Sequence, residues 1–150
     1  MRANWRQRAA CDGLSDYVAL LLELYGQPNV KFEGDLPLVL AAHNNHVRVA
    51  NLLIEARAHV DGKSSDGDTP LHRACEKEGC TIEMINVLLD AGADINAADK
   101  LACTPLIRAV KNDLVSPEVV RLLISKDADL LAVDINGFGV VHWLIELHLA

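Results

Sequence analysis

A chain of 150 residues is long enough to bury one domain's core without disulfides or metal staples. Apolar residues make up 51% of it, only six residues are aromatic and 23% are charged, so the core must be Leu, Val, Ile and Ala, and the composition is not that of a disordered chain. A formal charge of −7 opposes binding to phosphate backbones, and the longest apolar runs, such as residues 17–22, are too short to cross a bilayer. Nucleic acid and membrane are therefore not expected partners.

In chain order, the first segment, "MRANWRQRAACDG", has early arginines but no apolar stretch after them, so it does not read as a secretory signal. "YVALLLELYGQPNV" follows as an apolar helical pattern. "DLPLVLAA" then carries Pro37, "DTPLHRAC" Pro70 and "CTPLIRAV" Pro105, while Val140 in "FGVVHWLI" takes the proline's register. These four positions lie 33, 35 and 35 residues apart, and one period before Pro37 the slot falls on Trp5. The second halves align too: "VANLLIEARAHVD", "INVLLDAGADINA" and "VRLLISKDADLLA" place Val60, Ile95 and Leu130 each ten positions before the next register residue.

Each unit predicts two helices. Thr69 and Thr104 suit the capping position, and Pro70 and Pro105 the first helical residue, where no N–H bond is needed. A second helix starts after Thr81 or Ser116, with apolar residues at helical spacing (Ile82, Ile85, Leu88, Leu89; Val119, Leu122, Leu123), and Gly92 ends one of them where a left-handed residue is wanted. Turn-rich connectors carry Gly34, Gly67 and Gly137 at matching positions. Arg57 and Asp127 stand in the Gly92 slot at a cost of roughly 1 kcal/mol each. Leu36 and Gly139 stand where threonine caps are expected.

The unit resembles the ankyrin repeat, with its ~33-residue period and T-P-L-H-x-A signature, which "TPLHRA" matches in full. The resemblance covers essentially the whole chain. It implies an all-α solenoid of helix-turn-helix units with β-hairpin finger loops: one domain, residues 1–150, with about 4.5 repeats and degenerate ends. The units are a degenerate N-terminal cap at about 4–31, then 32–64, 65–99, 100–134 and a partial repeat at 135–150. Two extra residues separate the helices in the units holding "CEKEGCT" and "VKNDLVS", and the first finger, between Gly26 and Pro37, is two or three residues short.

The resemblance also implies binding to another protein through the finger tips and the concave face formed by the first helices. Three residues after the register position, the concave set is Arg8, Leu40, Arg73, Arg108 and Trp143. Arg73 and Arg108 should form neighbouring rungs at about 8–10 Å spacing. They offer either a cationic stripe for carboxylates or phosphoserine on a partner, or side chains that pair with nearby acids such as Glu76, Glu78 or Asp113. Finger-tip candidates are Phe32, Lys63, Asp66, Lys100, Leu101, Ile135 and Phe138; the apolar ones stand where residues are usually wet. The C-terminal stretch 138–150 is apolar around nearly the whole helix circumference and calls for cover by a partner, a second copy or more chain.

No catalytic residue, metal site or cofactor is expected. His72, Cys75 and Cys80 lack a fourth ligand and fit no common zinc spacing, and "SDGDT" is a finger turn more than a calcium loop. Ser116-Pro117 is a minimal phosphorylation site, but equally a cap followed by a first-turn proline. Four cysteines with no CxxC pair fit reduced thiols of the cytoplasm or nucleus. The expected role is a non-catalytic adaptor or regulatory subunit of an intracellular complex. Two alternatives stand beside it: a protein-kinase regulator, since the format looks like the small ankyrin inhibitors of cyclin-dependent kinases, or a segment of a larger ankyrin scaffold.

Overall fold

The computed structural model describes residues 15–31, 35–76, 79–112 and 116–149; Arg8 and Phe32 lie outside them. Among the described residues eight helices follow one another: α1 (Ser15–Tyr25), α2 (Pro37–His43), α3 (Val47–Glu55), α4 (Pro70–Glu76), α5 (Ile82–Asp90), α6 (Pro105–Lys111), α7 (Pro117–Ser125) and α8 (Val140–Leu149). The four register residues are thus each the first residue of a helix. Prolines fit three of these positions because a first-turn N–H has no acceptor in its own helix.

The chain stacks in two layers. Helices α2, α4, α6 and α8 pack in sequence, as do α1, α3, α5 and α7, and each pair α2/α3, α4/α5 and α6/α7 closes against itself. Small residues at one register position, Ala41, Ala74 and Ala109, are buried and let neighbouring helices approach. Leu38, Leu71 and Leu106 fill the layer of first helices, while Leu53, Leu88 and Leu123 fill that of second helices. The core is aliphatic because such close stacking has little room for aromatic rings.

The caps follow the sequence. Thr104 Oγ1 accepts the N–H of Ile107 at 3.3 Å and Thr69 Oγ1 that of His72 at 3.4 Å. Thr81 caps α5 through the N–H of Met84, and Ser116 caps α7 through that of Glu118. Leu36 makes no side-chain cap and is instead buried. A Cβ on Gly62 would lie 2.2 Å from Leu36 Cδ1, so a larger residue at 62 would force this leucine to shift. The residues at the Gly62 position in the next units are Ala97 and Ala132, paired in register with Thr69 and Thr104.

Arg57 (φ 66°) and Asp127 (φ 63°) adopt the left-handed conformation of Gly92 (φ 90°), as their register requires. The finger loops hold a departure of the same kind. Gly67 and Gly137 are left-handed at φ 86° and 81°, and the residue in the same slot between them is Ala102, at φ 57°. Alanine bears there a strain that glycine would not.

Candidate protein-binding face

Three fingers are each built by one side chain. Ser64, Asp99 and Asp134, spaced 35 residues apart, accept two backbone N–H groups each: those of Asp66 and Asp68, of Leu101 and Cys103, and of Asn136 and Phe138. The backbone closes the same turn, with the N–H of Ser64, Asp99 and Asp134 donating to the carbonyls of Asp68, Cys103 and Phe138. The fingers then tie to one another. Ile135 N–H donates to Leu101 O at 2.8 Å, Lys63 Nζ to Ala98 O at 2.9 Å and Lys100 Nζ to Ser65 O at 2.6 Å. Farther back, Asn29, Asp61 and Asn96 accept the backbone N–H of His59, Asp94 and Asp129 in the following unit. The result is a rigid row of loops.

His72 locks α4 to the next unit. Its Nδ1 accepts the Thr69 N–H at 3.2 Å, which leaves the proton on Nε2, 2.9 Å from Cys103 O. Burial lowers its pKa below 6.5, against the opposing bond to that carbonyl and the nearby Asp99. Both ring nitrogens of His72 are engaged in this packing. Burial also raises the Cys75 thiol and pushes Cys80 up to about 11, so neither thiolate is favoured near neutral pH.

The arginine rungs differ from a cationic stripe. Arg73 and Arg108 lie on the sides of α4 and α6 that face the fingers, and they share two carboxylates. Asp68 gives one oxygen to Arg73 Nε (3.1 Å) and the other to Arg108 Nη2 (3.3 Å). Glu76 does the same with Arg73 Nη1 (3.2 Å) and Arg108 Nη1 (3.4 Å). Arg73 also meets Asp66 at 3.3 Å, and Arg108 meets Asp99 at 2.7 Å. Two arginines against Asp66, Asp68, Glu76 and Asp99 leave this cluster with surplus negative charge. The shared Arg of "TPLHRA" and "TPLIRA" is thus a fastening between helix and finger, and it is not available as a free cation.

Burial raises the Asp68 carboxyl despite both arginines. Burial pushes Asp99 the same way, yet the bond from Arg108 and the N–H groups of Cys103 and Leu101 outweigh it and hold Asp99 below 3.8. Of the partners expected for the arginines, Glu76 is confirmed, while Glu78 and Asp113 lie outside the described residues. The finger aspartates were the signal missed: in register, Asp99 stands nine positions before Arg108, as Ser64 does before Arg73.

Trp143 takes the arginine position in α8. Lys111 Nζ lies 4.2 Å from its ring centroid and 3.5 Å from Asp134, so a cation is held between an indole face and a carboxylate. Phe138 is half-buried, stacked on His142 at 4.3 Å and edge-on to Trp143 at 5.7 Å; it is a packing residue of the last finger more than an exposed tip. At the C-terminal ends of α4 and α6 lies an open cleft of about 240 Å³ lined by Glu76, Arg108, Lys111 and Asn112. Leu40 is half-buried on α2. At the tips, Leu101 and Ile135 remain 47% and 65% exposed, and Lys63, Asp66 and Lys100 are exposed.

Ser116 donates to the Glu118 carboxylate while capping α7, and that bond lowers the Glu118 pKa. Among the described residues no helix is long and apolar enough to cross a membrane.

No curated protein matches the chain. The family model described as "Ankyrin repeats (3 copies)" matches residues 7–99 and 61–134, and the stacked helix pairs and repeated finger turns are the architecture it describes. The chain belongs to the ankyrin-repeat family, whose members generally act as protein–protein interaction modules.

Proposed function

We propose that this chain is a non-catalytic adaptor or regulatory subunit that holds a partner protein along its row of fingers and the adjoining cleft. The observation that carries this reading is the pairing of rigidity with exposure at the finger tips. Leu101 and Ile135 hold apolar side chains in water on loops whose backbones are bonded to each other and anchored by Asp99 and Asp134. Ordering those loops costs nothing further on binding, and exposed apolar side chains on a preorganised frame are what a partner can desolvate with profit. The Lys111–Trp143 pair, whose lysine lines the cleft, adds an aromatic anchor of the kind enriched at binding hot spots. Arg73 and Arg108 contribute by holding helix and finger together.

The test is affinity capture of partners with quantitative mass spectrometry, comparing wild type with Leu101→Asp/Ile135→Asp. Both side chains are exposed, so the helical content and melting temperature should not change. Selective loss of a partner supports the reading; an unchanged partner set contradicts it.

A further inference from the structure

Asp35 is a carboxylate without a cation at a position where the next unit supplies two. In register it corresponds to Asp68, each standing two residues before the proline that opens a helix. Asp68 gives its oxygens to Arg73, five positions on in its own unit, and to Arg108 in the following one. The residue five positions after Asp35 is Leu40, which has no side-chain donor. The arginine of the following unit is Arg73, and its guanidinium is taken by Asp66, Asp68 and Glu76. Asp35 Oδ1 is buried, and among the described residues no group donates to it. A carboxylate oxygen shut off from water in that state is unfavourable until a donor reaches it.

The frame around Asp35 is the one that seats an arginine in the next unit. Helices α2 and α4 both begin at a proline, and the N–H of Leu40 donates to Leu36 O at 3.2 Å as that of Arg73 does to Thr69 O at 3.2 Å. Side chains 40 and 73 therefore leave from matching backbone. Leu40 is only half-buried, so it offers apolar surface along which the stem of a long cationic side chain can lie. The charge on this side of the stack favours such a guest. Asp35, Asp66, Asp68, Glu76 and Asp99 stand against the guanidinium groups of Arg73 and Arg108, and the adjoining Lys111–Asp134 pair adds no net charge. The finger lysines Lys63 and Lys100 keep their ammonium groups on backbone carbonyls of the adjacent fingers.

We propose that an arginine side chain of a partner protein docks here, with its guanidinium on the Asp35 carboxylate and its stem along Leu40. This rests on the reading that the chain holds a partner protein, and it gives the chemistry of one contact. A guanidinium presents paired N–H donors in the plane of a carboxylate and is the group that fills the same position in the next unit. A neutral apolar side chain would leave Oδ1 unpaired, and an acidic one would add like charge.

Amide chemical-shift titration of the full chain with a capped Gly-Arg-Gly tripeptide tests the proposal. The resonances of Asp35 and Leu40 should move with half-saturation at about 1–10 mM, and the citrulline tripeptide, similar in shape but uncharged, should bind at least about tenfold more weakly. Asp35→Asn should abolish the shifts. Leu40→Arg supplies the cation from within the chain, so it should melt about 2–4 °C above Leu40→Gln and no longer take up the tripeptide. That gap should vanish when Asp35→Asn is added to both. The finger variant Leu101→Asp/Ile135→Asp should bind the tripeptide like wild type, so loss of a partner at the fingers and loss of the arginine site are read separately. The proposal is overturned if the tripeptide leaves Asp35 and Leu40 unmoved or binds Asp35→Asn as well as wild type. It is equally overturned if Leu40→Arg melts no higher than Leu40→Gln.

Discussion

Asp99 divides its carboxylate between finger and helix. One oxygen accepts the N–H groups of Leu101 and Cys103 at 2.7 and 3.0 Å, and the other takes Arg108 Nε and Nη2 at 2.8 and 2.7 Å. A buried carboxylate with four donors costs little, and one that loses its cation costs much. Arg108 is therefore the residue on which the finger–helix joint depends. Arg108→Ala leaves Asp99 and Asp68 buried without their shared cation and should cost about 3–5 kcal/mol in urea unfolding. Arg108→Lys should recover only part of this, because an ammonium cannot reach both carboxylates at once. Arg121→Ala, which removes only the exposed contact with Glu118 at 3.9 Å, should leave the midpoint unchanged.

His72 makes stability depend on pH in a defined direction. Its folded pKa lies below 6.5, so below that value the unfolded chain binds a proton that the folded chain resists. Its contribution is complete above pH 6.5 and is lost as the pH falls through the folded pKa. His72→Gln should cost about 1–2 kcal/mol near pH 7.5 through the disturbed bonds to Thr69 and Cys103. The gap in melting temperature between wild type and variant should narrow on going to about pH 5. A gap that widens towards acid would show that the buried ring carries a proton when folded.

Of the four left-handed residues other than glycine among the described residues, Arg57, Ala102 and Asp127 are sites for gain, while Asn45 is of a type that tolerates this conformation. Arg57→Gly, Ala102→Gly and Asp127→Gly should each stabilise by about 0.5–1 kcal/mol, while Gly92→Ala should lose a similar amount. Thermal melts of the single variants and of the triple check this. The gains should add, because the three positions lie in different loops, after α3, before α6 and after α7.

Leu36 and Gly62 form a coupled pair. Gly62→Ala alone should destabilise by about 1–3 kcal/mol, because its Cβ meets Leu36. In Leu36→Thr/Gly62→Ala, which copies the Thr69/Ala97 and Thr104/Ala132 combinations, the alanine should be tolerated. A double-mutant cycle should return a favourable coupling of about 1 kcal/mol or more.

Much of the fold was legible because the chain repeats itself. Pro37, Pro70, Pro105 and Val140 mark helix starts, Thr81 and Ser116 mark caps, and Arg57 and Asp127 were identifiable as left-handed by alignment with Gly92. Ala102 stands in register with Gly67 and Gly137, so the same alignment marks it although its own identity does not. The concave position of Arg73 and Arg108 was legible, but their chemistry was not. Their main partners, Asp68 and Asp99, belong to fingers that fold back over the helices, and a helical reading sees only neighbours such as Glu76. Phe138 reads as an exposed tip until α8 places His142 and Trp143 beneath it. The apolar C-terminal helix was plain in the sequence, whereas the ladder of Asn29, Asp61 and Asn96 needed the loops in space.

Lysine-reactive footprinting of the chain with a captured partner tests the central claim most directly. Lys63 and Lys100 lie on the fingers, while Lys126 ends α7 in the other helix layer, and all three are exposed. The account predicts that the partner suppresses labelling at Lys63 and Lys100 several-fold and leaves Lys126 unchanged. Suppression confined to Lys126, with the finger lysines still reactive, would contradict it.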